Sequence, residues 1–101
     1  MSESEIVIFT PVRTAIGTYN GSLKSTPATE LGATPIRQVL RQANLDPAKI
    51  DGVVMANVIQ AGNKMNPARQ AAIHGGIPVD VPAMTINRVC GSGAQALASA
   101  A

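Results

Sequence analysis

Three short, mostly apolar runs alternate along this chain with segments whose apolar residues recur every three or four positions. The runs are Glu5 to Thr10, around Ile6-Val-Ile-Phe9; Gly52 to Ile59, around Val53-Val-Met-Ala56; and Ala83 to Asn87. Apolar runs of this length, bounded by Pro, Gly and Asn, predict strands buried on both faces. Pro11 ends the first, and Arg13 to Thr26, with Gly17, Asn20 and Gly21, reads as a loop rich in turn residues. A helix is predicted over Ala28 to Gln42, with Leu31, Ile36, Val39 and Leu40 toward the core. Thr26 is a candidate N-cap and Pro27 suits the first helical position. Pro35 predicts a bend or a restart capped by Thr34, because an internal proline removes a backbone donor.

Asp46-Pro47 predicts one helical turn. Asn66-Pro67 then caps a helix through Ala72 or Ile73, closed by Gly75-Gly76. Ile77 to Pro82 connects to the third strand. From Gly91 the chain is again helical, with Ala94, Leu97, Ala98 and Ala101 spaced for one face. The alternation β-α-β-α-β-α predicts a parallel sheet covered by helices on both faces. No internal repeat or linker interrupts it. The last helix stops at Ala101 without glycine, proline or a basic final turn. The expectation is one partial domain over 1–101, with its start at Met1 and its last helix cut short.

Composition narrows the possibilities. Of 101 residues, 46% are hydrophobic but only Phe9 and Tyr19 are aromatic, so the core must come from Ala, Val, Ile and Leu. Such side chains each bury modest area, and a chain of this length has little stability to spare. Net charge is +2, without a Lys/Arg cluster or aromatic stacking platform, which gives nucleic-acid binding no support. No apolar run approaches the ~18 residues of a membrane helix. Met1-Ser-Glu-Ser-Glu5 is acidic and polar, unlike a secretory or mitochondrial leader. A single cysteine excludes an internal disulfide framework and agrees with a reducing compartment. The expected location is the cytoplasm.

That cysteine, Cys90, is the candidate for chemistry. It stands in Val81-Pro-Ala-Met-Thr-Ile-Asn-Arg-Val-Cys90-Gly-Ser-Gly93, where a strand turns into a helix. The order places the thiol at the first turn of a helix, beside backbone N–H groups without intrahelical partners, which favours the nucleophilic thiolate. Gly91 and Gly93 leave room for an acyl group to approach. The alternative is that Cys90 is an inert packing residue.

Three collinear blocks resemble the thiolase family: Ile6-Val-Ile-Phe-Thr-Pro-Val-Arg-Thr-Ala-Ile-Gly17, followed by Pro27-Ala-Thr-Glu-Leu-Gly32; Asn57-Val-Ile-Gln-Ala-Gly62 with Asn66-Pro-Ala-Arg-Gln70; and the block around Cys90. Together they cover Ile6 to Ala101. The resemblance implies the layered α/β/α thiolase fold, here an incomplete N-terminal half-domain with a mainly parallel sheet. It further implies an acyl-CoA C-acyltransferase that condenses two acetyl-CoA or cleaves a 3-ketoacyl-CoA with CoA. Cys90 matches the family's nucleophile, which forms an acyl-enzyme, and its backbone N–H matches a donor to the oxyanion. The substrates implied are CoA thioesters, with no bound cofactor or metal, and the full-length protein is implied to be a homodimer or homotetramer.

The family's activating histidine and second cysteine are absent from these 101 residues. His74 matches neither and reads as a structural residue at a helix end. Asn66, Arg69 and Gln70 read as structural, with Asn66 a helix cap; Arg13 reads as a loop or subunit contact or a solvated side chain. Lys64-Met65 departs from the Gly-Gln common in the family. The chain alone is therefore expected to be inactive. Alternatives are a ketoacyl synthase or other condensing enzyme of the same fold, and a non-catalytic truncated or split-subunit chain. A dinucleotide-binding domain is the poorest fit, since no Gly-x-Gly-x-x-Gly follows the first strand.

Overall fold

A computed structural model describes residues 4–101, so the start of the polar N-terminus, Met1 to Glu3, lies outside the described residues. Three helices, α1 (Ala28–Gln42), α2 (Pro67–His74) and α3 (Ser92–Ala100), accompany two strands, β1 (Val53–Ala56) and β2 (Ala83–Ile86). The strands pair in parallel, from Val53 opposite Ala83 to Ala56 opposite Ile86. With α2 between them they form a βαβ unit.

Each helix boundary has a local cause. Glu30 and Leu31 N–H groups donate to the Pro27 carbonyl and open α1. Pro27, not Thr26, is the cap residue, and no side chain caps this end. Proline at that position needs no N–H and leaves its carbonyl to start the helix. Nor does α1 restart at Thr34: the helix runs through Pro35, and the Thr34 hydroxyl donates to the Glu30 carbonyl within it, 3.1 Å away. At the far end Asn44 is left-handed, with φ 51°. Its N–H reaches Arg41 O and that of Leu45 reaches Leu40 O, the Schellman closure. Gly76 repeats the motif after α2, at φ 97°, with Ile77 N–H on Ala72 O. Asp46 caps the 3-10 turn Pro47–Lys49 by accepting from Ala48 N–H.

The core is built from small residues. Ala33, Ala68, Ala71, Ala72, Ile77 and Val81 are buried, with Ile36, Leu40, Ile50 and Val53 packed around them. Small residues let α1 and α2 approach closely. A Cβ on Gly75 would stand 2.6 Å from Ile36 Cγ2, and one on Gly32 would stand 3.1 Å from Ala71 Cβ and 2.9 Å from Met55 Cε.

Alternation along β1 sorts the layers. Val53 joins the cluster with Ala72 and Ile77, and Met55 reaches Gly32 of α1. Val54, on the other face, shares a cleft with Ser99 and Ala100 of α3. Helices α1 and α2 thus cover one face and α3 the other, the α/β/α layering expected. None of the three helices is long and apolar enough to cross a membrane.

One expectation fails. Glu5 to Thr10 forms no strand; the side chains of Glu5 to Phe9 are exposed, Ile8 by 75%. The segment shares a cleft with Val39, Gly52 and Leu97 without entering the ladder. A strand buried on both faces needs cover on both, and here the cover is thin. The face of α3 marked by its apolar spacing is the exposed one. Ala94, Leu97, Ala98 and Ala101 are all exposed, while Ser92, Gln95 and Ala96 turn inward. The polar Ser and Gln conceal that inner stripe from a hydrophobicity pattern. The middle strand is shorter than Gly52 to Ile59, though Asn57 N–H still donates to Ile86 O.

Candidate active site around Cys90

β2 delivers the chain to Asn87, and four residues turn it into α3. Asn87 uses both ends of its amide. Its Oδ1 accepts from Val89 N–H at 2.9 Å, a local Asx turn. Its Nδ2 donates to the Val58 carbonyl at 3.1 Å, which ties this turn to the loop after β1. Gly91 N–H closes back on Arg88 O, and Ser92 N–H on Val89 O.

Ser92 is the buried polar residue of the fold, 3% exposed. Its hydroxyl accepts from Arg88 N–H at 2.7 Å and donates to Val89 O at 2.6 Å. Between those two backbone groups lies Val89 in the left-handed region, with φ 46°. For a β-branched residue this conformation stores about 1–3 kcal/mol, held only because its surroundings over-determine it. Val89 is 63% exposed, so no packing demands that backbone; hydrogen bonds impose it. Arg88 adds an outer tie, its guanidinium donating to Gln95 Oε1 at 2.8 Å.

Cys90 follows immediately and is exposed. It lies just beyond the carboxyl end of a parallel strand, where α/β sheets offer ligands access. It precedes Gly91, the cap residue of α3, so it stands just outside the helix and not in its first turn as expected, because the turn from Asn87 to Gly91 delays the helix start. The two N–H groups next in sequence, those of Gly91 and Ser92, are engaged by the turn. The positive end of the α3 dipole remains close by. A Cβ on Gly93 would meet nothing within 4 Å, and one on Gly91 only ordinary contacts. Neither glycine is demanded by backbone conformation; what they provide is open space beside the thiol.

The other singled-out residues stand elsewhere. His74 ends α2, and its hydrogen bond among the described residues is through its carbonyl, which accepts from Arg37 at 2.9 Å. The cation meeting that helix end is thus Arg37. Asn66 caps α2 from a left-handed conformation, φ 47°. Its Oδ1 accepts from Arg69 N–H at 3.4 Å and from the Thr85 hydroxyl at 2.6 Å, and its Nδ2 donates to Ala83 O at 3.0 Å. Thr85 in turn accepts from Ala68 N–H. The start of α2 is therefore clamped to β2. Arg69 donates to the Val79 and Val81 carbonyls, and Gln70 to those of Asn63 and Met65. These three side chains organise loops. Arg13 is exposed and donates to Thr14 O.

Sequence reasoning did not single out Asn87, Val89 or Ser92. An Asx turn at Asn87 was readable from residue type; a left-handed valine carries no sequence signal.

Comparisons with known proteins agree with this architecture. A family model described as thiolase, N-terminal domain, matches residues 6–101. An acetyl-CoA acetyltransferase of Pseudomonas aeruginosa is 54% identical over 93 residues, covering 92% of this chain and 24% of that protein. A probable acetyl-CoA acyltransferase of Staphylococcus epidermidis is 53% identical over 94 residues, covering 93% of this chain and 24% of its own length. An acetyl-CoA acetyltransferase of Cupriavidus necator is 50% identical over 98 residues, 97% of this chain and 25% of that protein. The chain spans about a quarter of the length of these curated relatives. With its βαβ unit, its layered helices and a family match over nearly all its length, the chain belongs to the thiolase family, in the region of that family's N-terminal domain.

Proposed function

We propose that this chain supplies the acyl-accepting part of an acetyl-CoA C-acyltransferase, with Cys90 as the nucleophile. The Sγ thiolate attacks the carbonyl carbon of an acyl-CoA thioester, and the tetrahedral adduct expels the CoA thiolate, which takes up a proton. An acyl group is left on Cys90 as an enzyme thioester. Its own backbone N–H would help hold the oxyanion of that step. The α-carbon of a second acetyl-CoA, after losing a proton to a base, then attacks the enzyme thioester and releases the Cys90 thiolate; in the reverse direction Cys90 cleaves a 3-ketoacyl-CoA and CoA takes the acyl group from it.

The observation that carries this reading is the exposed thiol of Cys90 at the carboxyl end of β2, beside the start of α3. Support also comes from the relatives, whose names specify acetyl-CoA acetyl or acyl transfer. No base faces Cys90 among the described hydrogen bonds, and the hydrogen bond of His74 is made by its carbonyl, which accepts from Arg37 of α1. A base, a CoA cradle and the second acid/base must come from other residues, in an oligomeric cytoplasmic enzyme. The 101-residue chain by itself is accordingly inactive.

The test is acetoacetyl-CoA cleavage with CoA, measured for the natural protein that carries these residues and for its Cys90→Ala variant. Activity that disappears with Cys90→Ala agrees with the proposal. Undiminished turnover in the variant, or turnover by the 101-residue chain alone, contradicts it.

A further inference from the structure

We propose that Ser92 is a positioning residue for Cys90, acting through the strained backbone of Val89. This rests on Cys90 being the nucleophile and adds how its direction is set. The Ser92 hydroxyl accepts from the Arg88 N–H and donates to the Val89 carbonyl. These two groups flank the φ rotation of Val89, which sits at 46°. A β-branched residue leaves that region unless it is held. One buried hydroxyl therefore spans the dihedral that aims the next residue, Cys90. Asn87 fixes the Val89 N–H from the other side, and the Gly91 and Ser92 N–H groups close the turn. Removal of the hydroxyl frees Val89 to relax toward ordinary negative φ, swinging the thiol away from the start of α3.

This makes a pairing that a merely structural serine would not show. Glycine occupies the left-handed region without strain. A Val89→Gly substitution should therefore make the Ser92 hydroxyl dispensable for aiming the thiol.

The experiment measures the rate of Cys90 alkylation by iodoacetamide at neutral pH, followed by mass spectrometry. The samples are the natural protein carrying these residues, its Ser92→Ala, Val89→Gly and Ser92→Ala/Val89→Gly variants, and a peptide spanning Ile86 to Gln95, with the Cys90 peptide resolved after digestion. Far-UV circular dichroism is recorded on each chain. The wild-type protein is expected to react about two- to fivefold faster than the peptide, the range a helix start supplies to an adjacent anion. Ser92→Ala is expected to fall most of the way to the peptide rate with its helical signal retained, and the double variant to recover the wild-type rate. An activated wild type with Ser92→Ala unchanged, or a double variant no faster than Ser92→Ala, overturns the proposal alone. A wild-type rate equal to the peptide's removes both the activated nucleophile and its positioning.

Discussion

Asn66 offers the sharpest test of how this fold is held, because one exposed side chain performs three tasks from a left-handed backbone. Replacement by alanine removes the cap on Arg69 N–H, typically worth about 1 kcal/mol. It also removes the bonds to the Thr85 hydroxyl and the Ala83 carbonyl. Water reaches this site, so together they are worth about 1 kcal/mol, the low end for such bonds. Finally it places a Cβ with no compensating polar group at φ 47°, which costs about 1 kcal/mol more. Asn66→Ala should therefore lose roughly 3 kcal/mol, a fall in Tm of about 10–25 °C for a domain of this size. Asn66→Gly escapes the last contribution and should lose about 2 kcal/mol. Asn66→Asp keeps the acceptor oxygen and adds a charge favourable at a helix start, but it replaces the donor to the Ala83 carbonyl with a second oxygen, so it should lose about 1 kcal/mol. Thermal and urea melts by circular dichroism at 222 nm give the ranking directly. Alanine tolerated as well as glycine would refute the left-handed cap, and a loss below about 1 kcal/mol in all three would refute the clamp between α2 and β2.

Other substitutions probe separate parts of the structure. Gly75→Ala drives a Cβ to within 2.6 Å of Ile36 Cγ2; it should cost about 1–3 kcal/mol in urea melts, and an added Ile36→Ala should reduce that clash. Gly93→Ala enters open space within α3, so it should stabilise the fold by about 0.5–1 kcal/mol. Acetyl transfer to Cys90 should nonetheless slow, because the methyl group crowds the acyl approach; an unchanged rate would remove Gly93 from that path. His74→Gln should leave acetoacetyl-CoA cleavage within about twofold of wild type, since a base must lie within hydrogen-bond reach of the proton it takes. Arg37→Gln, which removes the tie to the His74 carbonyl, should cost no more than about 1 kcal/mol at this exposed position.

Much of the scaffold was legible because its signals are local. Ala28 to Gln42 carries enough 3.6-residue periodicity to fix α1 at both ends. Asn66-Pro67 and Gly75-Gly76 mark α2 through cap chemistry, which depends only on neighbouring residues. The fold class followed from the order of these elements. What failed was whatever depended on distant partners. Ile6 to Phe9 has every local property of a buried strand, yet pairing and cover are tertiary facts, and the segment lies open. In α3 the inward stripe contains Ser92 and Gln95, so the apolar pattern did not reveal it. Near the candidate site, the Cys-Gly-Ser-Gly turn identified Cys90 from residue types and resemblance. The bonds of Ser92 and the left-handed Val89 could not be read, because strain is visible only in a folded backbone.

The most direct measurement is to trap the acyl-enzyme. The natural protein carrying this chain is mixed with acetyl-CoA, without an acceptor, and quenched in acid. It is then digested with trypsin, which cleaves after Arg88 and releases a peptide beginning at Val89 with Cys90 second. An acetyl group on that peptide, removed by added CoA and absent from the Cys90→Ala protein, is the result this account predicts. An unmodified Cys90 peptide, or acetyl carried on another residue, would contradict it.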